Sequence, residues 1–272
     1  MKYLIFALFL AVIWGCNTND EDAPSDVDNF VDGVLTDIDG NAYRTTKIND
    51  IIWMAENLRV THYRDGSAIK SSYSDQAWST TVNGVSAVYD YDQWDGEGID
   101  SAEEMADMYG LLYNFYAVDD SRGLCPAGWH VPSKSDWQQL LTFVLTQGYS
   151  NESTSEEGAG NALKSCRQIG SPFGDDCDTS AHPRWEEPLP WGPQHFGFDA
   201  FSFSALPAGY RTKGGSYVQL GRFGNWWTST VDEPSSAWSM DMFNEAGYVS
   251  DGPYGVHKNK GYSVRCVRYA DN

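Results

Sequence analysis

Residues 125–148, CPAGWHVPSKSDWQQLLTFVLTQG, carry the clearest helix of the chain. Ser133 stands where an N-cap belongs, with the acid Asp136 three positions on. That pair satisfies N–H groups that the first turn of a helix leaves without partners. Trp137, Leu140, Leu141 and Val144 fall at i, i+3, i+4 and i+7, one apolar stripe. Gly148 supplies a stop. The spacing predicts a helix over 134–147 whose stripe faces a core and not a cofactor. The rest of the chain reads as short strand-like pieces and loops, which makes this a loop-rich, strand-containing domain around one clear helix.

Upstream, residues 34–38 (VLTDI) and 42–48 (AYRTTKI) flank Asp39-Gly40-Asn41, a turn signal between strand-like runs. They predict a hairpin. Residues 51–53, onward to Val60, predict a third strand entering the core. Asp37-x-Asp39-Gly40 has the look of a calcium loop, but it lacks the third spaced ligand and the closing Glu of an EF-hand, so it reads as a turn. Residues 64–107 read mostly as loop, with a helical turn over 103–108. Residues 109–118 (YGLLYNFYAV) are apolar on nearly every side, which predicts burial but does not separate helix from strand. Downstream, a second short helix is expected over 158–166. Residues 171–199 are dense in Pro, Gly and Trp without a period. They read as a long ordered loop, and such loops tend to be functional. Short strands follow over 201–206, 216–223, 225–229, 237–243 and 262–269. No internal repeat is seen.

The chain has 272 residues, a formal charge of −20, and 11 Trp, 16 Tyr, 12 Phe and 26 Gly. This composition suits strands and loops packed around aromatic rings. The charge argues against nucleic acid, whose binding needs Lys and Arg on phosphates. Residues 1–15 have the layout of a signal peptide: Lys2, an apolar run over 4–14, then Gly15 before Cys16. The run is too short to span a bilayer. Residues 13–16 (Ile-Trp-Gly-Cys) resemble a bacterial lipobox. That resemblance implies acylation of Cys16 and a membrane partner reached through acyl chains, each buried CH₂ contributing ~0.8 kcal/mol. Residues 16–29 are acidic and nearly free of apolar side chains, the composition of a flexible tether. Asp20, Glu21 and Asp22 read either as a signal for the outer face of the outer membrane or as plain solvated linker. Residues 30–272 are expected to form one globular domain, lipid-anchored to the bacterial outer membrane and surface-exposed.

Apart from Cys16, four cysteines remain: Cys125, Cys166, Cys177 and Cys266. An even set in an exported chain reads as two disulfides, for which three pairings exist. The favoured set is Cys166–Cys177, a local clip, with Cys125–Cys266, a long-range closure. The chain-entropy model assigns them roughly 3 and roughly 5 kcal/mol. No Cys-x-x-Cys occurs and the five His are scattered, so a zinc site is not expected, and no metal or cofactor is assigned.

Several segments together resemble one group of exported bacterial proteins, the Fibrobacter succinogenes major paralogous domain family. They are TDIDGNAYRTTKI with WMAENLRVTHY, then YGLLYNFYAV, CPAGWHVPSKSDWQQL, NALKS, FSFSALPAGYR, NWWTST and GYSVRCVR. Their number, order and spacing carry the resemblance across about residues 34–269. It implies a relative of the C-type-lectin-like and formylglycine-generating-enzyme-like folds: mixed α+β, loop-rich, two short helices with small twisted antiparallel sheets, stapled by disulfides, and with an N-terminal hairpin and a C-terminal strand sharing a sheet. It also implies a Cys125–Cys266 bridge, with residues 171–184 as an insertion of some members. Surface display suggests binding or adhesion by analogy only.

Candidate chemistry is sparse. Each cysteine other than Cys16 is better assigned to a disulfide than to a formylglycine-type copper site, and no G-x-S-x-G turn occurs. Asp175/Asp176 and Glu186/Glu187 are paired carboxylates of the kind glycoside hydrolysis uses, but among 38 acids such pairs arise by chance. Glu233-Pro234-Ser235 departs from the calcium-dependent sugar motif of C-type lectins. Arg184, Trp185, Glu186, Trp191, His195 and Phe196 form the candidate ligand-binding set, since aromatic faces beside polar groups suit sugars or a protein partner. The competing reading folds these aromatics back onto the core. Trp129, Trp226, Trp227 and Trp238 are assigned to the core, and Arg211, Arg265 and Arg268 to internal pairing with acids. The expected function is non-catalytic recognition of a glycan or protein ligand. A structural or adhesive surface component is the alternative, and a glycan-active hydrolase a weaker one.

Overall fold

A computed structural model describes residues 30–31, 33–91 and 98–270. The signal segment, Cys16 and the acidic tether lie outside the described residues. The predicted hairpin is present as β2 (Val34–Thr36) and β3 (Ala42–Ile48), preceded by a short β1 (Phe30–Val31). Asp37 makes its turn. One carboxylate oxygen accepts the Asp39 and Asn41 N–H groups at 2.9 Å, and the other accepts the Tyr43 hydroxyl at 2.6 Å. Asp37 therefore serves the turn, while the Asp39 carboxylate ties it to Thr61 and His62. Strand β4 (Ile51–Met54) pairs with β3. It ends earlier than read, because beyond it Asn57 turns its side chain inward, donating to Tyr109 O and accepting from Trp226 Nε1.

Helix α1 (Asp75–Thr80), capped by Ser74, falls in a stretch read as loop. After β5 (Ser86–Ala87), the expected turn at 103–108 is helix α2 (Ala102–Tyr109). The ambiguous apolar run 109–118 divides at Gly110, which has a positive φ of 78°. It gives β6 (Leu112–Tyr113), then α3 (Phe115–Val118), capped by the Asn114 side chain. Only glycine takes that φ without strain, so one residue separates two conformations that hydropathy could not.

The long helix is α4 (Lys134–Thr146), with the full Ser133/Asp136 capping box. Trp137, Leu140 and Val144 are buried and Leu141 packs against them. The Trp137 ring meets Trp53 edge-on at 4.9 Å and Phe203 at 5.7 Å. Helix α5 (Ala159–Leu163) follows. Strands β7 (Tyr210–Arg211) and β8 (Tyr217–Val218) form a small ribbon. Strands β9 (Phe223–Glu233), β10 (Ser236–Phe243) and β11 (Val256–His257) form a three-stranded antiparallel sheet. Finally β12 (Val267–Tyr269) pairs antiparallel with β4, Val267 opposite Trp53, completing a five-stranded sheet β1-β2-β3-β4-β12. The hairpin and the C-terminal strand thus share a sheet. The fold is mixed α+β, and both bridges, Cys125–Cys266 and Cys166–Cys177, are formed. Among the described residues no helix is long and apolar enough to cross a membrane.

Three readings are corrected. Residues 201–206 are not a strand, because Ser202 and Ser204 take positive φ and turn the backbone locally. Residues 262–266 are not a regular strand: Tyr262 and Ser263 join their neighbours by single bridges. Among the described residues Arg265 has no acid partner in hydrogen-bonding range: its guanidinium donates to Asn57 Oδ1 and to the carbonyls of Met54, Phe203 and Ser204. Arg211 does meet Asp75, at 3.1 Å, and the Arg268 guanidinium lies over the Trp129 ring. Trp129, Trp226 and Trp227 are core, whereas Trp238 is half-buried beneath the Lys134 ammonium.

Trp137→Ala removes the ring that joins α4 to β4. It is expected to lower stability by about 3–5 kcal/mol, read from the denaturant midpoint. A loss near zero would mean that the stripe does not form the core contact.

Candidate functional site

The long loop after α5 is irregular in sequence yet fixed by buried polar side chains. Lys164 Nζ donates to the carbonyls of His195 at 3.0 Å, Phe243 at 2.9 Å and Ala246 at 3.5 Å. Gln168 Nε2 donates to Glu186 O at 3.0 Å, while its Oε1 accepts Gly197 N–H at 3.1 Å. Asn161 Nδ2 donates to Glu156 O at 2.8 Å. A loop that crosses the interior must find partners for its backbone groups, and these three side chains supply them. The Cys166–Cys177 bridge clips the base of the same loop.

Against this frame lies a cleft of about 610 Å³, lined by Tyr149, Glu156, Glu157, Pro172, Phe173, Gln194, Phe196 and Phe198. Phe196 and Phe198 stand two positions apart, so both reach one side of an extended segment. Gly197 between them has no room for a side chain: a Cβ there would sit 2.3 Å from Ser165 O. Tyr149 and Phe173 each contact Phe198, at 5.7 and 6.4 Å between ring centres. Glu156 accepts the Gln194 N–H at 2.8 Å, and the Gln194 amide closes the loop tip by donating to Leu189 O and Gly192 O. The walls are therefore aromatic, acidic and tied to the core.

The six residues expected to bind ligand are divided by the structure. Phe196 lines the cleft. Trp191 stands at the loop tip, 73% exposed, beside exposed Leu189. Trp185 is fully buried, its indole N–H donating to Ala205 O at 3.0 Å. Arg184 is buried and paired with half-buried Glu186 at 2.8 Å. His195 is buried, and burial, aided by the Lys164 charge, lowers its pKa. Trp185, Arg184 and His195 thus act as the loop's internal support and do not reach solvent. Sequence reasoning missed the rest of the lining. The available signal was Phe196-Gly197-Phe198, together with a second apolar pair, Pro172-Phe173, inside the disulfide-clipped segment.

The acid pairs proposed for hydrolysis lie elsewhere. Asp175, Asp176 and Glu187 are exposed, and Glu186 is held by Arg184. Asp176 lines a second cleft of about 580 Å³. There Arg44 meets Glu56 at 3.1 Å and Arg167 donates to Pro183 O. Ser133, His130 and Asp136 are also neighbours, but the Ser133 hydroxyl donates to Asp136 at 2.7 Å as a helix cap. Burial pushes the Asp136 carboxyl up, yet hydrogen bonds from His130, Ser133 and Tyr269 outweigh this and hold it well below the usual range. Held so far below the usual range, that carboxylate is only a weak base toward the serine hydroxyl. Among the described residues no cluster of three or more His, Cys, Asp or Glu side chains is placed to hold a metal ion.

The family model described as the Fibrobacter succinogenes major domain matches residues 46–268, most of the chain. No curated protein and no solved structure matches it.

The buried Lys164 gives the loop a pH signature. Burial pushes its ammonium down to about 7 from 10.5. Between those values the unfolded chain binds more protons than the folded one, so this group's contribution to stability rises with pH. The stability of the native chain relative to Lys164→Met is therefore expected to improve between pH 7 and 10, as measured by denaturant midpoints. A difference that stays constant with pH would refute the assignment.

Proposed function

The chain belongs to the Fibrobacter succinogenes major domain family, and we propose that it is a surface lipoprotein whose domain recognises a glycan or protein ligand without catalysis. In this reading Cys16 carries the acyl chains, the outer membrane is the anchor, and the architecture is C-type-lectin-like. The observation that carries the reading is the aromatic-lined cleft, walled by a loop whose backbone is fixed from inside by Lys164 and Gln168. A site ordered before binding loses little entropy when a ligand arrives. Flat rings beside amide and carboxylate groups suit the CH faces and hydroxyls of a sugar. Exposed Trp191 and Leu189, on the loop that carries Gln194, favour a ligand extending beyond the cleft. The cap geometry at Ser133 accounts for the one serine–histidine–acid grouping described above.

Two measurements test this. Full-length chain in a polyoxyethylene detergent, screened on a glycan array and against surface proteins, is expected to bind a ligand that Phe173→Ala/Gln194→Ala loses. Phe173 is 52% exposed, so its truncation spares the core. Retained binding in the variant would move the site elsewhere. Metabolic labelling with a palmitate analogue is expected to mark the native chain and not Cys16→Ser. Equal labelling would refute the anchor.

A further inference from the structure

The charge of the cleft narrows what it takes. Its walls bring together four rings, Tyr149, Phe173, Phe196 and Phe198, and two carboxylates, Glu156 and Glu157, with no Lys or Arg among the lining residues. The second cleft differs, since Arg44 and Arg167 line it beside its acids. Lys164, which anchors the loop from the core, has its N–H groups directed at three carbonyls. The chain as a whole carries −20, so its long-range field also favours cations.

Aromatic faces carry negative potential and attract cations, most strongly when water is excluded. A neutral sugar gains from the rings but not from the two glutamates as charges. An anionic ligand is repelled by them. A bare ammonium is strongly hydrated, and leaving water for a ring-lined wall is unfavourable. An alkylated ammonium carries its charge inside an apolar shell, which the rings bury while the carboxylates compensate the charge.

We propose that the cleft between the Phe173 and Phe196–Phe198 segments binds an alkylated ammonium group, of the trimethylammonium type, as the head of its ligand. This rests on the reading of the cleft as a recognition site. The volume exceeds one such head group and leaves room for the carrier.

The test uses full-length chain in the same detergent, titrated calorimetrically with choline and with its uncharged isostere 3,3-dimethylbutan-1-ol. Choline is expected to bind about tenfold more tightly than the isostere, as a desolvated cation–π contact implies. Glu156→Gln/Glu157→Gln should weaken choline several-fold and leave the isostere unchanged. Phe173→Ala should weaken both. Raising the salt should weaken choline alone. Equal affinity for the two probes, lost in Phe173→Ala, would overturn the ammonium assignment and leave the recognition site standing. The ammonium assignment is likewise overturned, with the site intact, if choline does not bind while an array glycan does so through Phe173. If no probe binds, and no array ligand depends on Phe173 or Gln194, the assignment and the site fall together.

Discussion

Arg265 carries a fully buried guanidinium into the interior, and among the described residues no carboxylate is hydrogen-bonded to it. A buried charge is costly unless hydrogen bonds compensate it. Here the partners are Asn57 Oδ1 and the carbonyls of Met54, Phe203 and Ser204, with the Phe203 ring 4.4 Å from the guanidinium carbon. Burial, against the opposing charges of Asp199 and Glu56, pushes its pKa down to about 9. The requirement propagates. Residues 203–204 must turn their carbonyls inward, which positive φ at Ser202 and Ser204 accomplishes. The next residue, Ala205, bridges back to Leu163 and Ser165 and so sets α5 and the segment after it. From that segment Lys164 and Gln168 reach out to hold the cleft loop.

What sequence could foresee follows from the range of the interactions involved. The α4 cap and stripe, the Asp37 turn and the β2–β3 hairpin rest on residues within a few positions of one another, and all were legible. The 109–118 run became legible only at Gly110. Residues 201–206 look like a strand by composition, but their conformation answers to Arg265, some sixty positions away. Hydropathy has no access to that kind of constraint.

The same distinction explains the mixed outcome at the site. The loop was recognisable as ordered and unusual from its Pro, Gly and Trp content. Which of its aromatics turn inward depends on a single distant acceptor in the case of Trp185, the Ala205 carbonyl. The cleft wall also draws on Tyr149 and Glu156, which precede α5 and look like ordinary loop residues in one dimension. Buried Lys and Gln were the least visible of all. Their types suggest surface, and only their carbonyl partners make burial tolerable.

The pairing of β4 with β12 also orders events in time. Strand β12 is synthesised after every other element described, yet it completes the sheet begun by the first hairpin. A growing chain therefore holds β4 as a raw edge, and Cys125 waits for Cys266 on the same late segment. Closing so long a loop is slow compared with forming a local helix. Completion of the sheet thus waits on two strands far apart in the chain, and anything that shields the β4 edge during the wait protects it from adhering to its own copies.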